Sequence, residues 1–191
     1  MSMKINKTLV ISQLVAMYIS IILIYIPAII LLKNNNYTIS NNPFNVMFII
    51  GFAFTIIALL LSLAIIISSL IITIKGKSED VSKFTLIIKL IAIPWYIANY
   101  VMWVLAVLGM LNPILFLAIP IVIALSMTGT YLFMISVSIH NLLPIFYLLI
   151  KKKIKLNPLL VIGIIFHFIF CLDILGAIFI LINNKRQLST K

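Results

Sequence analysis

Acidic side chains are almost missing from this chain: three in 191 residues, against 14 lysines and arginines. Charged residues of both signs make up 9%, where soluble domains carry about 25%. Hydrophobic residues reach 64%. A water-soluble fold of this length has too little polar surface to cover such a composition, so the expected solvent for most of the chain is lipid. There is a single cysteine, Cys171, which excludes an intrachain disulfide and a thiol-built zinc framework. The six glycines form no phosphate loop. Walker, G-x-S-x-G and H-E-x-x-H sequences are absent, and so are paired carboxylates placed for acid–base work. Glu79 and Asp80 are adjacent, but they sit in a lysine-rich loop and balance its charge. No cofactor and no metal follow from such a sequence, and an enzyme is the less favoured class.

What is present is a set of short basic clusters between apolar runs. Lys4 and Lys7 come first, then Lys33, then Lys75, Lys77, Lys83 and Lys89, then Lys151, Lys152, Lys153 and Lys155, and finally Lys185, Arg186 and Lys191. This is the pattern of flanking residues that orient spans and touch anionic headgroups. No basic face interleaved with exposed aromatics points to nucleic acid. The heavy use of lysine, isoleucine and asparagine suggests an AT-rich bacterial genome. The N-terminus imitates a signal peptide, but its apolar stretch runs over residues 9–32, far beyond the usual ~7–15 residues. It reads as an uncleaved first span with a cytoplasmic N-terminus.

A transmembrane helix needs about 20 mostly apolar residues. The candidate spans are 9–32, 46–74, 84–111, 114–150 and 158–182, the fourth being one long kinked span or two short ones. Asn112-Pro113 marks a turn and Met127–Thr130 a weaker one. With five spans and the N-terminus inside, ten basic residues lie inside and four outside; six spans give nine against five. The expected fold is therefore an all-α polytopic helical bundle of one membrane domain with about five spans, four to six being compatible. The basic tail then sits on the disfavoured side.

The informative residues in such a chain are polar. Asp173 lies near the middle of the last candidate span, and a central aspartate costs about 2.5–3.5 kcal/mol on the insertion scale. It is expected to face protein or water, as an ion, proton or substrate contact or as a buried structural partner. Counting along straight helices places Asn99 level with it, so an Asn99–Asp173 contact is expected, while Lys89 is expected to snorkel back to the interface. His167 and Cys171 stand one helical turn apart, but Asp173 lies about 240° round from His167 and makes no stripe with them. A metal would need His140, His167 and Asp173 together, a thin set; His140-Asn141 reads as an interface marker. In the second span Gly51, Thr55, Ala58, Ser62 and Ser69 line one face with small residues, which suits close helix packing more than a substrate path. Trp95, Tyr96, Tyr100 and Trp103 cluster in the third, Trp95 as part of an interfacial aromatic belt and Trp103 as internal packing.

The segments Lys89-Leu90-Ile91-Ala92-Ile93-Pro94-Trp95-Tyr96 and 168–178, centred on Asp173, resemble an uncharacterised family of small multi-pass membrane proteins from Firmicutes such as clostridia. The resemblance implies about five plasma-membrane spans and no assigned activity, and it supplies no catalytic residues. Three functions compete. The first is a non-enzymatic membrane module: an accessory, immunity-type or regulatory subunit. The second is a small transporter or ion- or proton-conducting protein using Asp173. The third is an intramembrane enzyme acting on lipid through His140, His167 and Asp173. The expected partners are the bilayer, with anionic headgroups at the lysine clusters, and a second copy of the chain or another membrane protein.

Overall fold

A computed structural model describes residues 3–33, 43–75, 81–109, 119–151, 153–169 and 172–188. The described elements are all helices: α1 (Met3–Lys33), α2 (Pro43–Ile74), α3 (Ser82–Ile91), α4 (Ile93–Gly109), α5 (Ile119–Ile150), α6 (Pro158–Phe166) and α7 (Asp173–Leu188). Long apolar runs without clustered breakers make α1, α2 and α5 31, 32 and 32 residues long. α5 passes through Met127–Thr130 without interruption and carries Pro144 inside it. Asn112-Pro113 and Cys171 lie outside the described residues.

α1 and α2 run antiparallel, Asn6 meeting Ser69, Gln13 meeting Ser62 and Ser20 meeting Thr55. α5 packs against α2 and meets α1 through side-chain hydrogen bonds of Asn6 and Gln13, and α4 packs on α5. α3 and α4 form one unit bent by 43° around Ala92. Pro94 withholds one backbone N–H just past the bend. The Tyr18 hydroxyl of α1 donates to the Ile91 carbonyl there, at 2.6 Å.

The last expected span is not one helix. α6 and α7 fold back on each other as an antiparallel hairpin, with residues 167–169 and 172 at its tip. At its open end Asn157 Nδ2 donates to Asn183 Oδ1 (2.6 Å) and Gln187 Nε2 to the Lys155 carbonyl (2.8 Å). Asn157 also caps α6 by accepting from Leu160 N, with Pro158 in the first turn. Near the tip Gly163 and Gly176 face each other: a Cβ on Gly176 would lie 2.7 Å from the Gly163 carbonyl oxygen. The two arms have 9 and 16 residues, about 13 and 24 Å of helix, each short of a ~30 Å hydrocarbon layer. An apolar run fixes burial but not direction, which is why 158–182 reads as a crossing.

Among the described residues, Lys4–Pro27, Ile49–Ile74 and Ser126–Ile150 are long and apolar enough to cross a membrane, and the count rises to four when the bent α3–α4 pair is taken as one span. Five such units are not reached. Asn6, Gln13, Lys89, His140, Asn141, His167 and Asp173 are all buried, while Ile49, Leu60, Ile74 and Ile150 point outward. This inverted distribution is compatible with a membrane location.

Candidate functional site

The only described ion pair joins the bend to the hairpin. Lys89, on α3 one turn before the bend, places Nζ 3.1 Å from Oδ2 of Asp173, the first residue of α7. Both side chains are 1% exposed or less. Nζ also donates to Ser138 Oγ of α5 (3.2 Å) and to the Asp173 carbonyl (3.3 Å), so its three N–H groups are all used. The Tyr96 hydroxyl donates to the same Oδ2 at 3.3 Å. Oδ1 is buried with no hydrogen-bond partner.

Other polar groups of the tip find partners in the bundle. Ser138 Oγ donates to the His167 carbonyl at 3.0 Å. Asn141 Nδ2 lies 3.1 Å from His167 Nε2, and His167 Nδ1 lies 3.1 Å from the Gly163 carbonyl. Those partners assign the ring proton to Nδ1. A turn of non-helical backbone can be buried only when its polar groups find such partners. Ser138, Asn141 and Lys89 supply them.

A second polar system runs along α1. Asn6 Nδ2 donates to Ser69 Oγ and to His140 Nδ1 (both 2.8 Å), and Ser68 donates to Asn6 Oδ1 (2.7 Å). Two turns on, Gln13 bonds Ser62 (2.5 Å) and Ser136 (3.1 Å). Two turns further, Ser20 meets Thr55 at 2.6 Å. Tyr25 donates to Asn99 Oδ1, which also accepts from Ser126, both at 3.0 Å. The rungs span about 28 Å of helix. Between the second rung and the last lies a cavity of about 160 Å³, lined by Gln13, Ser20, Tyr25, Trp95, Asn99 and Ser126 among others. Trp95 packs on Tyr96 and Phe133, with ring centroids 5.3 and 5.6 Å away. An aromatic cluster therefore stands between the cavity and the ion pair.

The expected Asn99–Asp173 contact does not form, and Lys89 does not snorkel. Asn99 serves the cavity end, with its Nδ2 on the Trp95 carbonyl at 3.0 Å. The level of Asp173 was counted along a straight helix from Pro158, and the fold-back removes that premise. α7 instead runs antiparallel to α3, Asn184 meeting Ser82 at 2.9 Å, which carries Asp173 to Lys89. Trp95 is buried and belongs to no interfacial belt, whereas Trp103 donates to Ser126 at 2.9 Å. His140 and Asn141 are buried and mark no interface. No three His, Cys, Asp or Glu side chains among the described residues group as metal ligands, so His140, His167 and Asp173 are not assembled. The face of Gly51, Thr55, Ala58, Ser62 and Ser69 meets α1 of the same chain, a Cβ on Gly51 falling 2.6 Å from Ile24 Cγ1. Asn6, Gln13 and Ser20 were missed, although their spacing of seven mirrors Thr55, Ser62 and Ser69.

No curated protein and no solved structure matches the chain. Residues 8–186 match a family of unknown function, DUF6652, and the chain belongs to that family.

Proposed function

We propose that the chain is a bacterial plasma-membrane protein with four spans and one re-entrant hairpin, and that it works as a small transporter using Asp173 to carry a proton. The topology is supported by charge. With both hairpin ends on the side of the N-terminus, twelve of the 14 basic residues fall on the cytoplasmic side. Lys33 is then the single one outside, and Lys89 sits in the ion pair. Five crossings would instead leave Lys185, Arg186 and Lys191 opposite the other clusters, against the positive-inside tendency.

One observation carries the transport reading: a buried Lys89–Asp173 pair closes the junction of a helix bend and a broken-helix tip, behind an aromatic cluster and a cavity. Replacing a buried pair by apolar side chains is often neutral or stabilising, so a pair is weak evidence of a purely structural role. Ionisable groups inside membrane bundles mark ion and proton paths by default, and broken helices at mid-depth recur where such paths form. A proton taken up by Asp173 would weaken its hold on Lys89 and free the hairpin tip from α3. The test is proton uptake into dye-loaded proteoliposomes under an imposed potential. Uptake above protein-free liposomes that disappears in Asp173→Asn is expected; uptake unchanged in that variant, or none in the parent, contradicts the reading.

A second reading, a non-enzymatic accessory or regulatory module, is favoured by the complete use of the Lys89 donors, as a permanent lock would have them. It predicts no uptake. It is weakened by the small-residue face of α2, which α1 of the same chain already covers.

A further inference from the structure

We propose that the cavity between α1, α2, α4 and α5 binds a neutral molecule of about the size of benzene that carries one hydroxyl or amide group. The volume of about 160 Å³ matches the ~150 Å³ apolar cavity that takes up benzene. Most of the wall is apolar, including Ile21, Ile24 and Leu59. No charged side chain lines it, and Lys89 lies beyond the aromatic cluster, so an anion or cation would enter without a counter-charge. Polar groups stand along it: Gln13 and Ser62 bond each other at one end, Ser20 and Thr55 bond each other between, and Tyr25, Asn99 and Ser126 meet at the other end. Asn99 gives one N–H of its amide to the Trp95 carbonyl, and an amide nitrogen carries a second N–H, which we assign to a ligand oxygen. The Tyr25 and Ser126 hydroxyls stand on either side of the Asn99 carbonyl. An acyl chain would make no use of that end.

Gly129 is the strongest sign that the space is kept open. The described glycines 51, 163 and 176 are each required by a neighbour, since a Cβ on any of them would fall within 3.0 Å of another atom. At Gly129 a Cβ would meet nothing within 4 Å. Glycine inside a helix costs about 1 kcal/mol relative to alanine, and no packing contact accounts for it here. Gly129 lines the cavity, so any side chain there would take up its room.

The inference names the solute class for the transport reading and rests on it for what is carried, but binding is measured separately. The full chain in lipid nanodiscs is titrated with benzyl alcohol, toluene and benzoate, following the fluorescence of its two tryptophans, of which Trp95 lines the cavity. Benzyl alcohol is expected to give a saturable change. Toluene is expected to bind about tenfold more weakly, the worth of one good hydrogen bond, and benzoate not to bind. Gly129→Leu is expected to abolish saturation while keeping helix content and melting temperature, and Gly129→Ala to weaken binding several-fold. Asn99→Leu is expected to erase the preference for benzyl alcohol over toluene. A linear response identical for the parent and both Gly129 variants would overturn the inference, as would benzoate binding as well as benzyl alcohol. Loss of binding with proton uptake intact removes this inference alone; binding without uptake removes the transport reading alone.

Discussion

The α1–α2 pair and the α6–α7 hairpin both bring two antiparallel helices into close contact, and they do it with different chemistry. In α1–α2 the contact is a ladder of neutral amides and hydroxyls, repeated every seven residues, with a tight approach at Gly51. In α6–α7 the arms touch through Gly163 and Gly176, and the tip is held to the bundle by a full ion pair. A neutral ladder divides its energy over many small contacts, so any single rung can be lost. An ion pair concentrates it: both charges are satisfied together or one of them is buried alone. The first arrangement suits a permanent scaffold around a cavity, the second an element with two states.

That contrast can be broken experimentally, and the largest effect belongs to the ion pair. Lys89→Met leaves Asp173 buried without its cation and is expected to cost about 3–5 kcal/mol in a reversible unfolding titration. The double variant Lys89→Met/Asp173→Leu should return to within about 1 kcal/mol of the parent or above it. A double variant as unstable as the single one would show that the pair contributes stability of its own. Next comes the hairpin contact: Gly176→Ala drives a methyl to 2.5 Å from His167 Nδ1 and should cost about 1–3 kcal/mol, as overpacking does. The same change at Gly129 should have the opposite sign, a gain of up to about 1 kcal/mol, since nothing is there to be pushed. The smallest effect is expected for a rung. Gln13→Leu leaves Ser62 and Ser136 bonded to their own helix carbonyls and should cost about 0.6 kcal/mol, the mean for such bonds between membrane helices.

The same contrast decides how much could be read from the residues. Composition and run length suffice for an all-α bundle of apolar helices, and α1 and α2 follow from uninterrupted stretches, whereas 114–150 reads equally as one long kinked span or two short ones and its described part forms the single helix α5. The face of Gly51, Thr55, Ala58, Ser62 and Ser69 is legible because small polar residues break an otherwise apolar helix at a fixed period. Its counterpart on α1 carries the same period, but Asn6 falls between Lys4 and Lys7 and reads as flank. The hairpin is a different case. Residues 158–182 have the same hydropathy whether straight or folded back, and Gly163 and Gly176 face each other only after the fold-back. The Lys89–Asp173 pair depends on that fold-back too, so a count of depth along straight helices selects the wrong partner, Asn99.

The central claim is that the chain returns after α6 to the side it came from. It is tested by replacing Cys171 with serine and placing single cysteines at Lys153 and at Lys185, exposed positions at the two open ends of the hairpin. Each variant is labelled in intact cells with a membrane-impermeant maleimide, before and after permeabilisation. Protection of both cysteines in intact cells, with labelling of both after permeabilisation, is the predicted result. Labelling of Lys185→Cys in intact cells while Lys153→Cys stays protected would make 158–182 a crossing and contradict the account.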